Sequence, residues 1–214
     1  MGLLESLKQQ AEALQMQQKA QAAGSAANIA EVEAAMKRAF TYLNDLARQL
    51  AVLKPVNQAV FAIPEVLELR ELRYVDSFVD LRRGKLGEKE VVERIPLYVK
   101  WKGAVRPVVE RDMPALIERV EKALWRAHLK FGYDEVRDSK HTLVKGMFKV
   151  DPVVVTDVEL FAEHREGTVH VVARNLGRFG DDELRVPARQ LEEPLLEEIA
   201  KGILGQPHRL RAQR

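Results

Sequence analysis

A chain of 214 residues is long enough for one substantial domain, and at this size roughly 70 % of the unfolded surface is buried on folding. The lack of cysteine excludes disulfides, thiolate metal sites and cysteine nucleophiles, and fits a reducing compartment, so a cytoplasmic location is expected. Charge is nearly balanced, 34 basic against 32 acidic residues, so any basic surface has to come from local clustering.

At the N-terminus, Glu5, Lys8, Gln9 and Gln10 interrupt Leu3, Leu4 and Leu7 before a signal-peptide core can form. No apolar run approaches the roughly 20 residues that cross a bilayer, so a soluble chain without a membrane partner is expected. Residues 2–22 read as a first helix rich in Gln and Ala. Leu4, Leu7, Ala11 and Leu14 keep heptad spacing until Gln18 and Gln21 take over the stripe. A helix of this kind is marginal alone, which predicts that it folds back through Gly24-Ser25 onto the next one.

That next helix spans residues 28–53. Ile29, Val32, Met36, Ala39, Leu43, Leu46, Leu50 and Leu53 alternate in steps of three and four, while Glu33, Lys37, Arg38, Asn44, Asp45 and Arg48 line the opposite side. Asn28 reads as its N-cap with Glu31 reaching back, and Lys54-Pro55 as its end. The apolar seam has two readings, a layer of the chain's own core or a surface for self-association or a protein partner. The second makes Ile29, Val32, Met36, Leu43, Leu46 and Leu50 the contact residues.

A connector, 56–64, leads to a strand-like stretch over 67–81 whose apolar parity changes on the way, which predicts a bulge. Residues 82–87, Arg-Arg-Gly-Lys-Leu-Gly, read as a turn. In the following strand Val91, Ile95, Leu97, Val99 and Trp101 face one way, and Arg94, Tyr98, Lys100 and Lys102 the other. A helix capped by Asp112 is predicted from Met113-Pro114, with Leu116, Ile117, Val120, Leu124, Trp125 and Leu129 inward and Gly132 at its end. Strands follow near 133–150, 153–164 and 168–176, the last two joined as a hairpin through His164-Arg165-Glu166-Gly167, and 181–186 adds a short one. A closing helix near 189–204 turns Leu191, Leu195, Leu196, Ile199 and Leu204 inward, before a basic end that should fray.

This order gives an α+β fold: an N-terminal helical hairpin, then a mainly antiparallel sheet with helices packed on one face. Residues 1–54 form the helical pair and 55–214 the sheet domain, and the two can also form one continuous domain. Segments 67–131 and 133–205 both run strands then helix, a faint sign of duplication that residue alignment does not strengthen.

The five histidines are scattered. A hairpin turn centred on Glu166-Gly167 sets Glu163 opposite His170, but without a third ligand no metal site is expected. His128 reads as a packed residue at a core margin, and Asp76 and Asp80 as solvated residues on one strand face. There is no HExxH, GxSxG, GxxxxGK[ST] or strand-borne GxGxxG, so no catalytic motif and no cofactor is implied. The loop 174–182 is the candidate for an anionic ligand, its glycines bringing backbone amides near Arg174, Asn175 and Arg178. Its GxxG lacks the flanking helices of a KH loop and the alternating aromatics of an RNP strand. Arg94, Tyr98, Lys100 and Lys102 form a basic row able to hold single-stranded nucleic acid, weakened by a lone aromatic and by nearby Glu68 and Glu71. The expectations are, in order, a self-associating or partner-docking scaffold through residues 28–53, a small anionic-ligand binder, and a nucleic acid binder.

Overall fold

A computed structural model describes residues 3–140 and 143–210; within the first helix, side chains are described for Met16 and from Gly24 onward. That helix, α1, runs unbroken from Leu3–Leu53, 51 residues and about 75 Å at 1.5 Å per residue. The expected helical hairpin is thereby overturned. Gly24 and Ser25 remain helical, because an interior glycine costs only about 1 kcal/mol relative to alanine and the following alanines carry the helix onward. Packing of Leu4, Leu7, Ala11 and Leu14 lies outside the described side chains. Asn28, in mid-helix, caps nothing; its Nδ2 donates to the Arg165 carbonyl at 3.1 Å. The end at Leu53 stands as expected, with Lys54 turning into a left-handed conformation before Pro55.

Strands β1 (Phe61–Ile63) and β2 (Leu67–Leu69) pair with each other as a small separate sheet. Next come β3 (Arg73–Val79), β4 (Arg82–Leu86) and β5 (Lys89–Lys102). The expected bulge is present in β3 between Tyr74 and Asp76. Residues 82–86 are strand rather than turn, the reversal falling at Gly87-Glu88 with Gly87 at φ 65°. β6 (Val108–Arg111) precedes α2 (Pro114–Arg126).

The α2 N-cap is Met113 without a side-chain cap, not Asp112, and Pro114 opens the helix. His128, at φ 54°, turns the chain out of this helical segment, whereas Gly132 lies inside the next strand. Ile117, Val120 and Leu124 are buried as expected, but Trp125 is 65 % exposed, its ring edge-on to Phe131 at 5.6 Å.

The predicted strand 133–150 resolves into β7 (Phe131–Arg137) and β8 (Leu143–Val150). Then follow β9 (Val153–Glu163), β10 (Thr168–Arg174), β11 (Asp181–Pro187), a 3-10 turn at Ala188–Gln190, and α3 (Glu193–Ile203). Part of the basic end, 211–214, falls outside the described residues.

Among the described residues three sheets replace the single one expected, and strand outweighs helix, 41 % against 31 %. The largest has the order β11-β10-β9-β5-β3 with β4 also on β5, and all its pairings are antiparallel. α2 joins a three-stranded sheet ordered β6-β8-β7. α1, the 3-10 turn and α3 cover one face of the large sheet, because Ile95, Leu97, Val99, Trp101, Val158, Leu160, Val169 and Val171 all point there.

Val32, Ala35, Met36, Ala39, Leu43, Ala47 and Leu50 of α1 are buried against this face. Ile29 and Leu46 are partly exposed, and Leu53 leaves the body at 72 % exposure. Of the seam residues, Val32, Met36, Leu43 and Leu50 spend their side chains on the chain's own core. Polar bonds fix the seating: Glu33 Oε1 accepts the Val92 amide at 2.5 Å and lies 3.2 Å from His164 Nε2, tying α1 to β5 and to the β9–β10 turn. Among the described residues, no helix is long and apolar enough to cross a membrane.

Leu43 is fully buried in the centre of the α1 seam. Leu43→Ala should lower the unfolding free energy by about 2–5 kcal/mol. Denaturant melts at several protein concentrations check this, and the loss should be the same at each, since the contact is within one chain.

Candidate functional site

With helices on the inner face, strand alternation sends every second side chain of the large sheet to an opposite face that, among the described residues, no helix covers. On β5 this open face carries Arg94, Pro96, Tyr98, Lys100 and Lys102, the basic row read from the sequence. Register places Tyr98 opposite Phe78 on β3 and Asp157 on β9, and Asp157 opposite Arg174 on β10. Lys100 sits between Asp76 and Val155. The rings of Phe78 and Tyr98 stack at 5.6 Å and 25°, and both remain substantially exposed.

The loop after β8 and the turn after α2 rise beside this face. The Asp151 amide donates to the Lys130 carbonyl at 2.8 Å, and the Gly103 amide to the Pro152 carbonyl at 2.8 Å. They enclose a cavity of about 490 Å³ whose wall includes Asp76, Tyr98, Lys100, His128, Lys130, Asp151, Asp157 and Arg174. Its size is in the range of small-molecule sites.

The electrostatics of this wall are uneven. Arg174 sends Nε to Asp181 at 3.0 Å, so it forms no ion pair with its cross-strand neighbour Asp157. Lys100 and Lys130 have no ion-pair partner among the described residues. Asp157 is half buried, and that burial raises its carboxyl above the ordinary range; Glu159 raises it further, and Arg174 offsets only part.

A polar relay connects the site to the core. Trp101 Nε1 donates to Thr156 Oγ1 at 3.2 Å, which donates to the Asn175 carbonyl at 3.1 Å. Asn175, at φ 57°, donates through Nδ2 to the Val155 carbonyl at 2.9 Å, and its Oδ1 accepts the Gly180 amide at 3.3 Å.

The three residues read as an anion trap are therefore not brought together. Arg174 and Asn175 border the cavity, but the Asn175 amide is used to close the 175–180 loop. Arg178 lies at another hollow of about 800 Å³, lined also by Asp181, Asp182 and Glu183, where it is already bonded to Asp182. Nδ1 of His208 is buried in that region without a partner. The acidic lining and the spent arginine make this larger hollow a poor anion site, so volume alone does not choose between the two.

Other sequence expectations shift as well. Glu163 stands opposite Thr168 and takes Arg185 at 2.6 Å, while His170 stands opposite Phe161 and lies 3.7 Å from Glu183. The four-residue turn sets this register, which separates the expected Glu163–His170 pair. Asp76 and Asp80 do lie outward, with Phe78 between them. His128 is exposed at the cavity rather than packed in a core margin. Among the described residues, no group of three His, Asp or Glu is placed to hold a metal ion. Asp157 and Lys130 were not singled out by sequence; alternation in β9 marks Asp157 as outward, but nothing local marks its partial burial.

No family model, curated protein or solved structure matches this chain.

The raised Asp157 carboxyl has a sign that can be measured. The folded protein holds this proton more tightly than the unfolded chain, so stability falls as pH rises from the unfolded carboxylate range through the higher folded one. Asp157→Asn removes that penalty. Its melting temperature should exceed wild type at neutral pH, and the gap should close as pH falls below the carboxylate range, as read by calorimetry.

Proposed function

We propose that this protein binds a small polar ligand in the cavity on the open face of its large sheet. The observation that carries this is the coexistence, on one 490 Å³ wall, of two lysines without ion-pair partners and a half-buried carboxylate whose burial is only partly compensated. On the same face, Arg94 is paired with Glu159 at 3.8 Å and Arg185 with Glu163 at 2.6 Å. A charged group held in a concavity at a cost to folding, as Asp157 is, is the arrangement expected of a binding site. No reaction is assigned.

Thermal shift against a panel of anionic, cationic and zwitterionic metabolites tests the reading. A ligand present at 100 times its Kd stabilises by about 2.7 kcal/mol, which for a chain of this size raises Tm by roughly 5–10 °C. Lys100→Ala with Lys130→Ala should abolish that rise while leaving the ligand-free Tm nearly unchanged. A panel without a shift, or a shift that survives the double substitution, would sink the proposal.

A second reading is favoured by the stacked Phe78 and Tyr98 rings beside Arg94, Lys100 and Lys102, a platform on which bases of single-stranded nucleic acid can stack. Binding of an oligonucleotide would have to weaken steeply with salt and drop by about 1–3 kcal/mol on Tyr98→Ala. Fluorescence anisotropy at two salt concentrations decides it, and a salt-insensitive signal rejects it.

A further inference from the structure

We infer that the cavity ligand is a zwitterion, its cationic nitrogen seated between the Asp157 carboxylate and the Tyr98 ring and its anionic group reaching Lys100 and Lys130. This rests on the ligand-binding reading above and adds the chemical class.

The spacing comes from the sheet. Tyr98 is in direct register with Asp157, and Lys100 with Val155, so Lys100 and Asp157 are diagonal neighbours on adjacent strands. Diagonal neighbours lie roughly 7–8 Å apart, close enough for long side chains to touch. The two nevertheless form no ion pair. Opposite charges one diagonal apart, pointing to the same cavity and not neutralising each other, leave a gap that a molecule bearing both charges can bridge.

Each end has its own reason for preferring one sign. Arg174 faces Asp157 across the strands but bonds to Asp181 and compensates Asp157 only in part, so a ligand ammonium or guanidinium would supply the remainder. Tyr98 adds an aromatic surface beside that carboxylate, already oriented by its stack with Phe78, and a cation over such a ring gains further attraction. At the other end, Lys100 on β5 and Lys130 after α2 approach from separate elements, as two point charges able to share one carboxylate, sulfonate or phosphate. A simple anion would satisfy the lysines but meet the carboxylates of Asp76, Asp151 and Asp157 on the same wall. A simple cation would do the reverse.

The test is calorimetric titration of the full-length protein with ω-amino acids from glycine to 6-aminohexanoate, each beside its matched carboxylate and amine; 4-aminobutanoate, for instance, is paired with butanoate and butylamine. At least one ω-amino acid should bind ten times or more tighter than both of its matched controls. Asp157→Asn should cost that ligand tenfold or more while bringing it level with the plain carboxylate, and Lys100→Gln should bring it level with the plain amine. Since Asp157→Asn is expected to fold at least as stably as wild type, loss of binding in that variant is not loss of structure. A carboxylate that binds as tightly as its ω-amino acid, or binding indifferent to Asp157→Asn, overturns the zwitterion and leaves the ligand-binding reading intact. Failure of every ω-amino acid, when another compound of the metabolite panel binds through Lys100 and Lys130, also overturns it. Failure of all compounds removes both.

Discussion

The seating of α1 on the inner face of the large sheet sets the terms for everything else in this molecule. Met36 and Leu43 sit fully buried over the apolar side of β5 and β9, each side chain worth roughly 1.5–3 kcal/mol in burial. Glu33, bonded to the Val92 amide and close to His164, fixes where along the sheet the helix lies. Once that face is filled, alternation leaves the other with the polar half of every strand. The molecule thus has one side committed to cohesion and one side available for chemistry.

On the open side, the ordering of charges is as informative as their presence. Antiparallel register sets Arg174 opposite Asp181, while Arg185 reaches across β10 to Glu163. These pairs are exposed and individually weak, worth at most about 1 kcal/mol, but they spend charge that would otherwise attract ligands. Asp157 is the member left out, since its own cross-strand arginine is diverted to the neighbouring strand.

Much of the fold was legible in local pattern. The alternation from Val91 to Lys102 gives the two faces of β5, and the apolar spacing from Ile29 to Leu50 gives the helix and its buried side. What local pattern does not carry is the partner. A heptad-like stripe looks the same whether it meets a second helix or a sheet, and Gly24-Ser25 looks like a turn until the energetic cost of a continuous helix is set against it. The candidate site was legible only in pieces. Tyr98 and Lys100 were placed on one strand face, but Asp157 and Lys130 are brought to them by pairings between segments more than 25 residues apart. Arg174 and Arg178 share a glycine-rich loop in sequence, yet the left-handed turn at Asn175 directs them to different hollows.

The two tryptophans stand in opposite surroundings, Trp101 fully buried and Trp125 65 % exposed. Their emission is accordingly divisible, a blue component shielded from aqueous quenchers and a red one open to them. Trp101 is bonded to Thr156, and Thr156 to the backbone at Asn175 on the cavity's edge. The chain thus carries an optical probe on the helix-covered side of the large sheet, two hydrogen bonds from the cavity's edge, with Trp125 on α2 as an internal reference.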